Sequence, residues 1–325
     1  MKFANFVAAG LAAFASVAAT GAVIAQEWPS RPIRIIVPFP AGGSVDALGR
    51  VFAGLLQERL KVSVVVDNRG GAGGNVGANL VAKSPADGYT FLLNTNGQAI
   101  SPAIYKSLPY DSDKELAPVS ALVTTSTVIV VNKDLPAKNF QEFVALAKSK
   151  PGKLNYGSTG VGNALHLTME LVMKETGISM QMVPFGGDAP LFNAMIGGEI
   201  QAALVPTTTA KGHVVGNAIR AIAMTTSQRV PSWPDTPTIA EQGLPGFGVT
   251  GWVGLFAPSA TPRDIVERVA KEAKAIVAMP EMLKALDALT LDPLASTPAE
   301  FLEMYRADRV KFQKIIKDAN IALQD

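Results

Sequence analysis

Three glycine-rich turns hold the residues best suited to chemistry, and each follows a predicted strand and precedes a predicted helix. They cover residues 38–46, 68–77 and 155–163. Glycine lets the chain bend sharply, and the free N–H groups at the start of the next helix favour an anion. An ordinary strand–helix connection has the same pattern, so the residues alone leave both interpretations open.

The second turn looks like a dinucleotide-binding loop but departs from its spacing. It fits only a looser form of G-x-G-x-x-G that ends at Gly77. The dinucleotide motif also requires an acidic residue at the end of a strand, whereas Asp87 precedes a strand. The sequence also has no P-loop motif. Nucleotide binding is therefore poorly supported.

The third turn contains Ser158 and Thr159, and His166 follows in the next predicted helix. A serine hydrolase needs its nucleophile in a G-x-S-x-G elbow, whereas Gly157 directly precedes Ser158. No nearby acid is placed to orient His166 as a base. We interpret the two hydroxyls as hydrogen-bond donors or helix caps, and His166 as a structural histidine.

Cations are missing where an anion would bind. Positions 38–46, 157–166 and 184–190 contain no Lys or Arg. Amides, hydroxyls and helix N-termini would have to hold the anion, which suits a small carboxylate better than a phosphate. Reversible capture is also favoured over catalysis, since no tuned acid–base pair is present. We expect no enzymatic activity, no cofactor and no metal.

Composition excludes several other classes of protein. The 325 residues are 48% hydrophobic and 17% charged, which predicts about two folded domains and not a disordered chain. The net charge of +2 and the lack of basic runs argue against nucleic-acid binding. The absence of cysteine excludes disulfides and thiol nucleophiles. With only two histidines in the sequence, a metal site rich in histidine ligands is not expected.

The N-terminus has the pattern of an export signal. Lys2 precedes an uncharged, Ala-rich stretch, and Val23-Ile24-Ala25 offers small residues at a cleavage site. We expect residues 1–25 to be a cleavable signal peptide, cut near Ala25, although a stretch of about 20 residues could also anchor in a bilayer. The prediction is a periplasmic protein.

Strand and helix patterns alternate through most of the mature chain. Strand–helix–strand order indicates right-handed crossovers and parallel pairing. The last quarter is mostly helical after a strand at 249–256. Capping boxes are predicted at Thr261 and Thr297, and residues 298–320 form a final packing helix. The predicted strands lie at 33–37, 62–66, 89–93, 128–131, 154–156, 180–183, 200–205, 219–224 and 249–256.

Several ordered motifs together resemble the Bug-type substrate-binding proteins, the solute receptors of tripartite tricarboxylate transporters. The likeness runs from about Trp28 to the C-terminus. The motifs are VPFPAGGSVD (37–46), DNRGGAGGNVG (67–77), ADGYT (86–90), NYGSTGVGNALHL (155–167), VPFGGDAP (183–190), PDTPTIAEQG (234–243) and GWVGLFAPSATP (251–262).

The resemblance implies an α/β chain with a two-lobed periplasmic-binding-protein fold, type II-like, that closes as a flytrap. Its mixed sheets would be flanked by helices and followed by a C-terminal helical return. Lobe 1 would comprise residues 26–124 plus 248–325, and lobe 2 residues 125–247. The predicted ligand-binding residues are Phe39, Ala41, Gly42, Gly43, Ser44, Asp46, Asn96, Ser158, Thr159, Gly162, His166, Gly186, Asp188 and Thr207.

Two departures from the family pattern separate this chain from its relatives. Gln201 stands where an Asp is common, and Thr207-Thr208-Thr209 replaces the usual segment, which places three hydroxyls near the expected cleft. Residues 186–187 are Gly-Gly where the family more often has Lys-Gly. The resemblance therefore does not identify the solute.

The resemblance implies a monomeric periplasmic receptor that carries a small carboxylate to the membrane permease subunits of a tripartite tricarboxylate transporter. A ligand sensor that docks on a two-component sensor kinase is the alternative, because the same flytrap serves both roles. A hydrolase is the least supported reading, since no acid–base or metal set can be assembled. No nucleic-acid partner is expected.

Overall fold

The computed structural model describes residues 28–230 and 233–325. The predicted signal peptide and its cleavage site near Ala25 lie outside the described residues. Within the described part of the chain, no helix is long and apolar enough to cross a bilayer.

Strands and helices alternate along the described chain, as the sequence predicts. The strands are β1 (Ile33–Val37), β2 (Val64–Asn68), β3 (Thr90–Thr95), β4 (Leu116–Thr125), β5 (Thr127–Asn132), β6 (Asn155–Ser158), β7 (Gln181–Pro184), β8 (Ala202–Pro206), β9 (Ile219–Met224), β10 (Gly251–Pro258) and β11 (Asp292–Pro293). The helices are α1 (Ser44–Leu60), α2 (Asn75–Ala82), α3 (Gly97–Ile104), α4 (Phe140–Ser149), α5 (Ala164–Thr176), α6 (Asp188–Ile196), α7 (Thr207–Val215), α8 (Arg263–Val277), α9 (Pro280–Ala288) and α10 (Pro298–Asp318).

The first sheet has the strand order β11-β4-β10-β3-β1-β2. Its strands β1, β2 and β3 are parallel, because α1 and α2 return the chain to the same end of the sheet. β10 comes from the last quarter of the sequence and inserts antiparallel between β3 and β4. The sheet is therefore mixed, as predicted.

The second sheet has the strand order β7-β6-β8-β5-β9. β6 runs parallel to β7 and β8, whereas β5 runs antiparallel to β8 and β9. The predicted strands of this sheet are confirmed within about two residues at each end. With helices packed on both sheets, the predicted α/β fold is confirmed.

The chain passes between the sheets almost without a loop. Ser126 alone separates the end of β4 from the start of β5, and it is 4% exposed. The chain returns after β9 and enters β10. Thr225 joins the two crossings: its hydroxyl oxygen lies 2.6 Å from that of Thr127, and it donates to the Val249 carbonyl oxygen at 2.9 Å.

The last helix, α10, packs against the cores of both sheets. Phe301 and Tyr305 near its start join the first-sheet core, and Phe312, Ile315 and Ile316 near its end join the second-sheet core. The predicted packing helix and C-terminal helical return are confirmed.

Four elements have no counterpart in the predicted pattern, namely β4, α3, α7 and the two-residue strand β11. Pro118 lies inside β4, and a proline within a run of residues argues against a strand in the sequence. In the structure, the pairing of β4 with β10 shifts register beside Pro118. Pro102 similarly lies inside α3. α7 starts with three threonines, which are β-branched and have low helix propensity.

One of the two predicted capping boxes is confirmed and the other is wrong. The Thr297 hydroxyl accepts from the Glu300 amide, and the Glu300 carboxylate accepts from the Thr297 amide. α8 instead begins after Pro262, which has no cap side chain. The Thr261 hydroxyl is buried there with no hydrogen-bond partner among the described residues.

This difference predicts unequal stability changes at two similar sequence positions. Thr297→Ala is expected to lower the free energy of unfolding by about 1 kcal/mol, the usual cost of losing an N-cap. Thr261→Ala is expected to leave it within about 0.5 kcal/mol, because its hydroxyl satisfies no backbone amide. Urea unfolding of both variants measures the changes. Equal losses would contradict the assignment of the caps.

Candidate functional site

A cavity of about 330 Å³ lies between the helices of the two sheets. This volume falls in the range of about 300–1,000 Å³ typical of small-molecule sites. Twenty described residues line it: Ser44, Val45, Thr95, Asn96, Thr125, Ser126, Thr127, Ala164, Leu165, Thr168, Asp188, Pro206, Thr207, Thr208, Thr209, Val249, Gly251, Val253, Thr290 and Leu291.

The N-termini of five helices meet at this cavity. α1 starts at Ser44, α3 follows Asn96, α5 starts at Ala164, α6 starts at Asp188, and α7 starts at Thr207, and each of these residues lines the wall. The first turn of a helix has N–H groups without helical partners and carries roughly half a positive charge. The cavity therefore presents positive potential from backbone alone.

Hydroxyl groups supply half of the lining. Ten of the twenty residues are Ser or Thr. Some of their hydroxyls already serve the protein: Thr207 donates to the Ser126 carbonyl at 3.2 Å, and Thr209 to the Pro206 carbonyl at 3.2 Å. Ser44 and Thr208 make no side-chain hydrogen bond to another described residue, which leaves their hydroxyls free for a ligand.

Among the described lining residues there is no Lys, Arg or His, and Asp188 is the sole ionisable side chain. Asp292 lies just behind the wall, where the Ser126 hydroxyl donates to it at 3.4 Å. Burial raises the pKa of Asp292, and this hydrogen bond opposes the shift. An anion in the cavity is thus met by amides and hydroxyls and not by an ion pair.

A second cavity of about 350 Å³ adjoins the first and shares part of its wall with it, namely Thr95, Asn96, Ala164 and Leu165. Its remaining lining is mainly apolar. The C-terminal tail closes one side: Gln324 donates to the Val161 carbonyl at 2.6 Å and accepts at its own carbonyl from the Lys106 amide at 2.9 Å. Because Val161 lies in the loop before α5, the tail fixes that loop against α3.

The first glycine-rich turn is held in place by Asp46. Its carboxylate accepts from the Gly42 amide at 2.8 Å, the Asn68 amide group at 3.0 Å and Arg50 Nε at 3.0 Å. Burial tends to raise the pKa of Asp46, but the Arg50, Gly42 and Asn68 hydrogen bonds together hold it below its usual value. Asp46 therefore shapes the loop from behind.

The third turn is held by His166. Its Nδ1 accepts from the Gly162 amide at 2.9 Å, and its Nε2 lies 3.6 Å from Glu170. An acid therefore lies beside His166, contrary to the expectation from the sequence. Tyr156 also donates to Glu170, at 2.6 Å. Burial tends to raise the pKa of Glu170, but its contacts with His166 and Tyr156 lower it overall. Burial raises the pKa of Tyr156.

The structure divides the predicted ligand-binding residues into three groups. The first cavity is lined by Ser44, Asn96, Asp188 and Thr207. The second cavity is lined by Phe39, Asn96 and Gly162. Neither wall includes Ala41, Gly42, Gly43, Asp46, Ser158, Thr159, His166 or Gly186. Ser158 is buried and donates to the Gly160 carbonyl at 3.0 Å. A binding role for each residue stays a prediction.

The prediction missed the lining that comes from the crossings between the sheets. Thr125, Ser126 and Thr127 contribute from one crossing, and Val249 and Gly251 from the other. Of these positions only Gly251 falls in a motif named above, GWVGLFAPSATP (251–262). The junction of two strands at Ser126 could have been a signal, but Pro118 hides the first of the two strands in the sequence.

The sequence and the overall architecture match a known family. The family model described as the tripartite tricarboxylate transporter family receptor matches residues 48–321, most of the chain. The chain belongs to this receptor family. A relative in the tcbD-tcbE intergenic region of Pseudomonas sp. (strain P51) is 35% identical over 95% of this chain and 93% of its own length.

Solved structures agree with this membership. The periplasmic binding protein BugD has a TM-score of 0.75 and 30% identity, covering 91% of this chain and all of BugD. The R. palustris protein Rpa4515, solved with adipate, has a TM-score of 0.78 and 32% identity over 91% of this chain and all of its own. MatC of Rhodopseudomonas palustris, solved with bound malate, has a TM-score of 0.73 and 26% identity, covering 89% of this chain and 99% of MatC.

Membership confirms the resemblance and the fold. This receptor family has the two-lobed fold of periplasmic solute-binding proteins, and its members are binding proteins and not enzymes. Its receptors bind small carboxylates and work with tripartite permeases. The protein is therefore a solute-binding receptor of this family.

Proposed function

We propose that this receptor captures a small organic carboxylate in the first cavity and delivers it to the permease of a tripartite tricarboxylate transporter. The observation that carries the proposal is the meeting of five helix N-termini at a hydroxyl-rich wall. Backbone N–H groups and the helix dipoles together favour an anion. The lack of a lining cation among the described residues keeps the binding reversible.

The geometry of the lining suits a carboxylate and reversible binding. A carboxylate has two oxygens that accept about four hydrogen bonds, and the free hydroxyls of Ser44 and Thr208 face it from helices of different sheets. Rpa4515 with adipate and MatC with malate provide relatives that hold compounds of this class. A volume of about 330 Å³ accommodates acids of that size.

Closure of two lobes is the proposed route to a buried ligand. We take lobe 1 as residues 26–124 plus 248–325 and lobe 2 as residues 125–247, so each boundary lies close to a crossing between the sheets. Rotation about Ser126 and the segment before β10 would bring α1 and α3 against α5, α6 and α7, with the unliganded form more open. We place the mature protein in the periplasm, after cleavage near Ala25.

Two experiments test this function. Mass spectrometry of the ligand that copurifies with the mature protein, followed by a thermal-shift series of mono- and dicarboxylates, is expected to show a bound acid that raises Tm. Failure of every carboxylate to bind would overturn the proposal. A deletion strain is expected to lose growth on the identified acid. Normal growth combined with a lost transcriptional response would instead assign the protein to a sensor kinase.

A further inference from the structure

Asp188 is an unusual component of an anion-binding wall. It occupies the first position of α6, after Gly187 with φ +155°, and it is half-buried at the cavity. Every other described lining residue is neutral. The wall thus combines five positive helix ends with one carboxylate.

The carboxylate of Asp188 is available to a ligand. Asp46, the other acid assigned to binding, accepts three hydrogen bonds from its own loop and its neighbours. The side chain of Asp188, by contrast, makes no hydrogen bond or ion pair with any other residue in the described part of the chain. The surrounding protein therefore assigns it no structural role beyond the helix end.

An unpartnered carboxylate on the wall changes which acids fit best. It repels a second negative charge placed beside it and accepts a hydrogen bond from an N–H or O–H group. Charge-assisted hydrogen bonds are roughly twice as strong as neutral ones. A ligand gains most when it places one carboxylate at the helix ends and a donor at Asp188.

We propose that Asp188 is a specificity residue that selects carboxylates bearing a hydrogen-bond donor, an ammonium group most strongly and a hydroxyl group next. The inference rests on the proposed function, because it assumes that the cavity holds a carboxylate. It narrows the substrate class to amino acids and hydroxy acids.

Two matched ligand series test this selectivity by calorimetry. Succinate, malate and aspartate differ only in the substituent at one carbon, as do adipate, 2-hydroxyadipate and 2-aminoadipate. The wild type is expected to bind the ammonium member of the fitting series about tenfold more tightly than the unsubstituted acid. Asp188→Asn and Asp188→Ser are expected to remove most of that preference while the unsubstituted acid binds as well or better.

Asp264→Asn is the matched control, because Asp264 is also an acid in the first turn of a helix, α8, but is exposed and lies outside both cavities. It should leave the preference unchanged. An undiminished preference for donors in both Asp188 variants would overturn the role of Asp188, as would tighter wild-type binding of the unsubstituted acid. A copurifying acid without a donor, with no binding of either series, would overturn the role of Asp188 and leave the proposed function standing, whereas the proposed function fails only if no carboxylate binds.

Discussion

Thr208→Asp is expected to weaken carboxylate binding by at least about a hundredfold. Thr208 is the second residue of α7 and lines the first cavity with a free hydroxyl. A charge at this position would face the ligand at close range, and two like charges about 4 Å apart repel by about 4 kcal/mol at an effective dielectric constant of about 20. Even half of that energy corresponds to about thirtyfold, and the lost hydroxyl donor adds to it.

Thr208→Asn isolates the effect of charge, because Asn has nearly the shape of Asp and keeps a hydrogen-bond donor. It is expected to bind the ligand within about tenfold of the wild type. Calorimetry with the copurifying acid measures both variants. Equal affinities for the Asp and Asn variants would show that the carboxylate does not lie near α7.

Phe301→Ala is expected to lower the free energy of unfolding by about 3–5 kcal/mol. Phe301 is fully buried, and its ring centroid lies 4.9 Å from that of Trp252 and 5.0 Å from that of Phe256. The absence of a side chain at Gly254 makes room for it, since a Cβ there would lie 2.3 Å from the Phe301 ring. Removing the ring leaves a void that this close packing fills only partly.

Val310→Ala provides the comparison on the same helix. Val310 is apolar but 69% exposed, so its truncation should change stability by no more than about 0.5 kcal/mol. Urea unfolding followed by circular dichroism measures both variants. A loss below about 1 kcal/mol for Phe301→Ala would contradict the assignment of this aromatic cluster to the core.

The sequence predicts most of the fold because its strands and helices carry strong local signals. The β-branched run at 33–37 and the capped helix that starts after Thr297 are examples, and both are confirmed. The failures are local as well. Pro118 hides a strand whose pairing partner, β10, lies more than 130 residues away in the sequence, and Thr261 precedes a helix without capping it.

The site is less predictable, because it depends on which elements face each other. Ser44 and Asp188 could be proposed from glycine-rich turns before helices, and both line the first cavity. The lining by Thr125 follows only from the way the chain crosses between the sheets, and the lining by Thr290 follows from the pairing of β11 with β4. Likewise, no sequence pattern distinguishes Asp46 from Asp188. The carboxylate of Asp46 accepts hydrogen bonds from its own loop and neighbours, whereas the carboxylate of Asp188 has no hydrogen-bond partner among the described residues.

The position of α10 has a consequence for how the chain is made. Phe301 and Tyr305 complete the first-sheet core, and Phe312 completes the second. β10, a central strand of the first sheet, also comes from the last quarter of the chain. The core of the first sheet, and the side of the second-sheet core that α10 covers, therefore become complete only after the last quarter of the chain has been synthesised, whereas the cluster between Val128 and Trp233 can form earlier.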